Sequence, residues 1–450
     1  MAFTQGVLNK QYVSAIPFLD QREINPNLID VARDKDFTDI MKVIGRYKPT
    51  KVPIYASFIN QNIFATGTIA SVTSGNGTAK LVVVLTPGTS GYARQNDLIR
   101  SSNANMASQV GFVQLVTPGA SGTGDTLTIW SVNNSPLYAA ANDTISFMSN
   151  AFGAGSGAPG SRIYGQTRMI NQTQLFKEDD QVDDIQKVSR VETIVKGQPY
   201  YYVYEHINKL NALNGFISAA MIAGQQSSTL YSDTNPYLVD AGGKPVQTTM
   251  GLDQYTTTYG VTANAASLGT LTLTDLGSAI DALLAVKAPL NQVGWIGSKA
   301  RRPWDNLFKN LGTGGVTSVR LNIDGRTTDL EVDRVEYGDA VFELAKLSIL
   351  NHPQLFPAAV VPDIVGSIYF QPKDKVQVVG GGLETRLQIR YLNKPHLGGN
   401  SFSNGIITET VTGQLAPIPT NQTAILETAW YTNQGLEALG VQHFLKFRVA

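Results

Sequence analysis

The residues able to do chemistry are few and scattered. His206, His352, His396 and His443 are the only imidazoles, and no two stand at the i, i+4 spacing that sets a pair of metal ligands on one helix face. There is no cysteine, which excludes disulfides, zinc–thiolate and iron–sulfur sites and thiol nucleophiles. No G-x-S-x-G turn is present to expose a serine nucleophile. The expectation is a protein that is not an enzyme and that uses no cofactor or metal; carboxylate-only chemistry is the one catalytic class these residue types leave open.

Two charged groups stand out. Glu178, Asp179, Asp180, Asp183 and Asp184 form an acidic cluster without the glycine and terminal glutamate of a helix-loop-helix calcium site. Lys299, Arg301, Arg302 and Lys309 form a basic one. The acidic group reads as a solvated hairpin tip or as a dock for the basic surface of a neighbouring subunit. The basic group reads as that surface, as a plain solvated face, or as a contact for packaged DNA phosphates. Gly155-Ser-Gly157-Ala-Pro-Gly160 has dinucleotide-fingerprint spacing, but the residues after Gly160 are strand-like where the fingerprint needs a helix, so the segment reads as a linker. Gly297-Ser298-Lys299 lacks the upstream glycine of a phosphate loop and reads as a turn. The sequons at Asn76, Asn171 and Asn421 have no secretory signal to give them meaning.

The elements that position these groups are mostly strands. A single long helix is expected from Pro199 to Gly224, where Val203, Ile207, Leu210, Leu213, Ile217, Ala220 and Met221 recur on one face. At 1.5 Å per residue it spans roughly 40 Å. Ahead of it, residues 1–50 predict two short helices, one capped by Asn25 (PNLIDVARD) and one by Asp36 (FTDIMKVIGRY, with Phe37, Ile40, Met41 and Ile44 on one face), before Pro49 and Pro53 stop helicity. Residues 51–150 alternate short apolar strands with Gly, Asn, Ser and Pro turns and predict a compact barrel or sandwich, with Thr86-Pro87-Gly88 echoed at Thr117-Pro118-Gly119 and Asn96-Asp97 echoed at Asn142-Asp143. Residues 150–161 read as a hinge. A projecting hairpin with the acidic tip comes next, up to residue 198. Beyond the long helix come a Thr274-capped helix (DLGSAIDALLAVK), a buried strand (VGWIG), a basic turn with a short helix (SKARRPWDNLFKNL), alternating strands, and a final strand pair in ILETAWYT and VQHFLKFRV.

Composition sets the frame. The 450 residues exceed one ordinary core. Thirty-five Lys and Arg balance 35 Asp and Glu, so no bulk field favours nucleic acid or membrane. A charged fraction of 16% against the usual quarter or so implies surface buried against other chains. No signal peptide and no run of about eighteen apolar residues is present, which places the chain in the cytoplasm until release.

The order of elements resembles a major capsid protein of tailed bacteriophages with the Hong Kong type capsid fold, over nearly the whole chain. FTDIMKVIGRYKPT resembles the helix and K-P-T/V approach to the family's extended loop; INQTQLF with VSRVETIV, its returning half; Pro199–Gly224, the spine helix of the peripheral domain. LEVDRVEYGDAVFELAKLSILNHPQL resembles the axial-domain strand pair, and SIYFQPKDKVQVV with ETAWYTNQGLEALGVQHFLKFRVA the late strands. The inserted barrel is most like those of larger phage capsid proteins, such as the crAss-like phages of gut Bacteroidales. The resemblance implies a strand-dominant α+β fold with an N-terminal arm (1–50), a β-barrel insertion (51–150), an extended-loop hairpin (151–198), a peripheral domain (199–250), an axial domain with peripheral strands (251–400) and C-terminal strands returning to the peripheral domain (401–450).

It also implies a virion protein assembled in the host cytoplasm into hexamers and pentamers of an icosahedral head around double-stranded DNA. Its partners would be portal, scaffold and decoration proteins, with no membrane and with the barrel on the outer surface. No long charged helical segment precedes the arm, and nothing identifies a Lys and Asn pair for a covalent crosslink. The alternatives are a tail tube, sheath or fibre protein, or a carbohydrate-binding barrel using Trp130, Tyr138 and Tyr92, of which Trp130 reads more naturally as barrel core.

Overall fold

The computed structural model describes residues 37–450 except 61–65, 89–92, 107–108, 121–122, 158–165, 184–193, 196–197, 229–236, 314–321, 324–325, 328–333, 378–381, 394–400, 404, 417–418 and 420–423. It divides into two compact units, Phe58–Met169 and Ile170–Ala450 joined by the chain up to Ser57. The Asn25-capped helix and the Asp36 cap lie outside the described residues.

Helix α1, Phe37–Val43, buries Phe37 and Met41 one turn apart. Ile44, expected on the same face, is 47% exposed. The helix has already ended there: Gly45 takes a left-handed φ of +68° and the Arg46 N–H bonds back to the Met41 carbonyl. Strand β1, Tyr47–Thr50, begins at once, so Lys48-Pro49-Thr50 belongs to a sheet as well as stopping the helix. Strand β2 is Ile54–Asn60.

The Phe58–Met169 unit is a six-stranded closed barrel of β3 (Thr66–Ser74), β4 (Lys80–Leu85), β5 (Asp97–Ser101), β6 (Gly111–Thr117), β7 (Thr126–Ser131) and β8 (Thr144–Asn150), in the order β3-β4-β7-β6-β5-β8 with β8 returning to β3. Period-2 alternation builds it: Leu81, Val83 and Leu85 point inward from β4 and meet Leu127, Ile129, Ile99, Val113 and Ile145. Closure removes the strand edges an open sheet would offer to other chains. The Asn-Asp echo has a shared geometry. Asn96 and Asn142 both take φ of 71°, and the next aspartate accepts a backbone N–H three residues back, Arg94 to Asp97 Oδ2 at 3.0 Å and Ala140 to Asp143 Oδ2 at 2.6 Å. These two turns launch β5 and β8, which pair with each other.

The larger unit holds two six-stranded sheets. Its elements are β9 (Gln166–Gln172), which pairs with β2; β10 (Gln174–Asp183); α2 (Tyr200–Ala223); α3 (Leu252–Tyr259); β11 (Val261–Asn264); α4 (Leu273–Ala285); β12 (Asn291–Ile296); α5 (Ser298–Thr313); β13 (Arg334–Tyr337); β14 (Ala340–Lys346); β15 (Ser367–Pro372); β16 (Leu387–Leu392); β17 (Ser401–Ser403); β18 (Thr408–Thr412); β19 (Ile425–Ala438); and β20 (Leu445–Arg448). The first sheet runs β1-β16-β19-β18-β17, with β10 also on β19; the second runs β11-β20-β15-β12-β14-β13. The expected final strand pair is therefore corrected. Gly440 in left-handed φ and a one-turn 3-10 helix at Val441–His443 break the chain between β19 and β20 and send them to different sheets.

Helices α4 and α5 cover one face of the second sheet through Leu276, Ala279 and Leu283 and through Ala300, Trp304 and Leu307. Trp304 meets Phe342 edge-on at 6.3 Å, and Phe342 lies 4.9 Å from Phe370. Gly294 makes room for this stack, since a Cβ there would lie 2.6 Å from the Phe370 ring on the paired strand. The cap of α4 is Thr272 and not Thr274. Thr272 Oγ1 accepts the Asp275 N–H while the Asp275 carboxylate accepts the Thr272 N–H, a reciprocal box that fixes the start two residues earlier.

Candidate assembly surfaces

The acidic residues do not sit at a hairpin tip. Glu178 to Asp183 lie within β10, which runs antiparallel to β19 from Gln174↔Gln434 to Asp183↔Ile425. Asp184 lies outside the described residues. Alternation splits the cluster: Asp179 is exposed, while Asp180 is 2% exposed and pairs at 3.1 Å with Lys209 on α2. Burial pushes the Glu178 carboxyl above the ordinary glutamate range, Asp179 beside it adds to the rise, and Lys209 opposes it. Part of the cluster thus fastens a strand to the long helix of its own chain. That use of Asp180 corrects its reading as a free docking group.

The long helix runs from Tyr200 to Ala223 as expected, with Leu210 and Ala220 of the expected face half-buried and the Val203 and Ile207 side chains outside the described residues. Leu213, Ile217 and Met221 are buried on the face it turns to its own chain, with Asn214 and Ser218 beside them. Ser218 Oγ shares a 3.0 Å hydrogen bond with Thr38 Oγ1, tying α1 to α2. From Asn208 to Ala223 the exposed positions are Asn208, Ala212 and Phe216, the last at 52%, and Lys209 is the only charged residue in that span. An outward helix face without charge is unlike a solvent-facing one.

The basic group is helical from its start, so the expected turn at Ser298-Lys299 is corrected to the first turn of α5. The Asn351 side chain takes the Ser298 N–H at 2.7 Å, and a Cβ at Gly297 would lie 2.8 Å from Leu350. This helix end is filled by the chain itself. Arg301 is 8% exposed and lies 3.4 Å from Asp305, so it is not surface; Arg302 is exposed, Lys299 half-buried, and the Lys309 side chain lies outside the described residues.

Other readings resolve plainly. Residues 151–157 form no helix, and Gly160 with the residues up to 165, on which the fingerprint turns, lies outside the described residues. Among the described residues no group of three or more His, Asp or Glu is placed to hold a metal. Trp130 is not barrel core. It stands on the outside of β7, 40% exposed, with its Nε1–H on Gln114 Oε1 at 2.5 Å and the Lys80 ammonium 5.6 Å from its ring. Tyr138 is half-buried, and Tyr92 lies outside the described residues.

Two features escape the sequence reading. One is a polar hub at the Leu436 carbonyl, which accepts from Asn171 Nδ2 at 2.7 Å, Tyr55 OH at 2.6 Å and Tyr255 OH at 3.2 Å. In sequence Asn171 is no more than a sequon; buried here, it is structural. The other is the turn from Tyr237 to Val246, for which the Asp-Ala-Gly-Gly run after three apolar residues is the available signal.

The sequence matches the SU10 major capsid protein family over residues 25–337, more than two thirds of the chain. The chain belongs to the SU10 major capsid protein family. No curated protein matches this capsid protein. Solved structures similar to it include a chain of the Cyanophage A-1(L) capsid asymmetric unit, at 9% identity over 95% of this chain and 96% of that one with a TM-score of 0.47. A chain from Microbacterium phage Oxtober96 is 8% identical over 98% of each chain at a TM-score of 0.41. A chain from Mycobacterium phage Bobi is 9% identical over 98% of each at 0.40. No helix among the described residues is long and apolar enough to cross a membrane.

Proposed function

We propose that this capsid protein assembles as hexamers and pentamers into an icosahedral head enclosing double-stranded DNA, built in the host cytoplasm with scaffold, portal and decoration proteins of the same virion. The observation that supports the lattice reading, beyond family membership, is the stretch of α2 from Asn208 to Ala223, whose exposed positions carry no charge and include Phe216. A large exposed apolar side chain on a charge-free helix face is covered at low desolvation cost, which suits many weak symmetric contacts. A neighbouring subunit covers this face. Of the charged residues singled out in the sequence, Asp179 and Arg302 are exposed and Glu178 and Lys299 half-buried, which supports their meeting a neighbour, whereas Asp180 and Arg301 are buried within the chain.

The test is assembly of the purified protein, with sedimentation and electron microscopy as readouts. Closed shells are expected, and tubes or sheets without closed shells would overturn the icosahedral reading. Phe216→Glu is expected to keep the melting temperature of the dissociated subunit and to abolish shells. Normal shells from that variant would remove α2 from the contact.

A further inference from the structure

We propose that the Tyr237–Val246 turn is a preformed finger that inserts its apolar side into a second copy of this chain; the proposal rests on the assembly reading above. Three consecutive apolar residues lead into the turn. Tyr237 is 90% exposed, and Leu238 and Val239 are also exposed. The turn that holds them is built tightly. Asp240 Oδ1 accepts the Gly242 N–H at 2.9 Å and the Lys244 N–H at 2.8 Å. The Asp240 N–H bonds to the Lys244 carbonyl at 2.8 Å, Gly243 N–H to the Asp240 carbonyl at 2.9 Å, and Val246 N–H to the Leu238 carbonyl at 2.9 Å. Val239 bridges to Pro245, and Gly243 adopts a φ of +73° that a side chain resists.

The base is anchored as well. Thr248 Oγ1–H bonds to the Gln225 carbonyl at 2.5 Å, just past the end of α2, and Thr249 N–H bonds to Gln174 Oε1 on β10 at 3.2 Å. The chain leaving the finger is therefore tied to the segment that follows α2 and to β10. A loop ordered in advance loses little conformational entropy on docking, and an exposed Tyr with two aliphatic neighbours is the kind of anchor that carries binding energy. The turn contributes one aspartate and one lysine, so no net charge steers it to a polyanion or a membrane surface. The partner it fits is an apolar, uncharged surface. In a shell of repeated subunits that surface is offered by the next copy, whose α2 has this chemistry at its exposed positions from Asn208 to Phe216.

The absence of cysteine makes the test direct. Tyr237→Cys supplies one attachment point for a benzophenone maleimide. Irradiation of shells assembled from equal parts isotope-labelled and unlabelled chains is expected to give covalent chain dimers whose crosslinked peptides join the two isotopes. Assembled shells that yield no such dimers overturn the proposal. In parallel, Tyr237→Ser with Val239→Ser is expected to leave subunit melting unchanged and to raise the critical concentration for assembly by at least about tenfold. Assembly of that folded variant at the wild-type concentration also overturns it. If the wild-type protein forms no closed shells, the assembly reading itself fails; if wild-type and variant shells form alike, only the finger fails.

Discussion

The Asn171 amide holds three chain segments at one point. Its Nδ2 reaches the carbonyls of Leu436 and Met250 at 2.7 and 3.2 Å, and its Oδ1 accepts the Gln172 and Met250 N–H groups, both at 2.8 Å. Burial pushes the Tyr55 and Tyr255 phenols well up, so both stay protonated and keep donating to the Leu436 carbonyl at any physiological pH. Asn171→Ala strands buried backbone groups on all three segments and is expected to cost about 2–4 kcal/mol in urea unfolding. Gly366 makes a different demand. Its carbonyl accepts the Val449 and Ala450 N–H groups at 2.9 and 3.0 Å, and a Cβ would sit 1.9 Å from the Ala450 carbonyl oxygen. Gly366→Ala must push the end of β20 away, at about 1–3 kcal/mol by the same measurement. An unchanged midpoint would show that the terminus yields without cost.

At the scale of elements, the junction of β10 with α2 sets a pH dependence. Glu178 and Asp180 share one side of the strand, and Lys209 faces them. A carboxyl raised above its unfolded value destabilises the fold at pH above both values, and that penalty fades as pH falls below them. Glu384 runs the other way. Its hydrogen bond from Lys48 is the largest of the influences that hold it below the ordinary range, so its stabilisation is present at neutral pH and lost as pH falls through the lowered value. Glu178→Gln is therefore expected to raise the melting temperature at neutral pH, with the gain shrinking toward zero in the acid range where wild-type Glu178 is protonated. A gain that persists at low pH would assign the effect to packing.

The same junction marks the limit of local reading. The long helix is legible because twenty-four residues repeat one 3.6 period between a proline and a glycine, and its observed ends, Tyr200 and Ala223, fall one residue inside the expected ones. The acidic strand is not. Its partner β19 lies about 250 residues further on, and a polar run gives no sign that Asp180 will be buried by a lysine on the next helix. Trp130 is misplaced in sequence for a related reason: alternation sets it outside β7 once Leu127 and Ile129 are inside, a parity that is fixed only when the strand register is known.

For the whole molecule, the closed barrel predicts a separable folding unit. It has its own buried cluster, from Ile69 to Ile145, and its barrel circuit closes with strands of Phe58–Met169 alone. Residues 58–169 expressed alone are expected to give a β-type circular dichroism spectrum and one cooperative melting transition; a chain without such a transition would make the barrel dependent on the rest of the subunit. The sequence announces this unit through uniformly spaced turns and near absence of charge. It cannot announce that the chain leaving the unit, in β9, pairs with the chain approaching it, in β2.

That pairing has an evolutionary consequence. With donor and acceptor ends already side by side, recombination between phage genomes needs to preserve only two short strands to trade one inserted module for another. Such a junction would accept a different closed domain in place of the barrel with no change to the two six-stranded sheets of the larger unit.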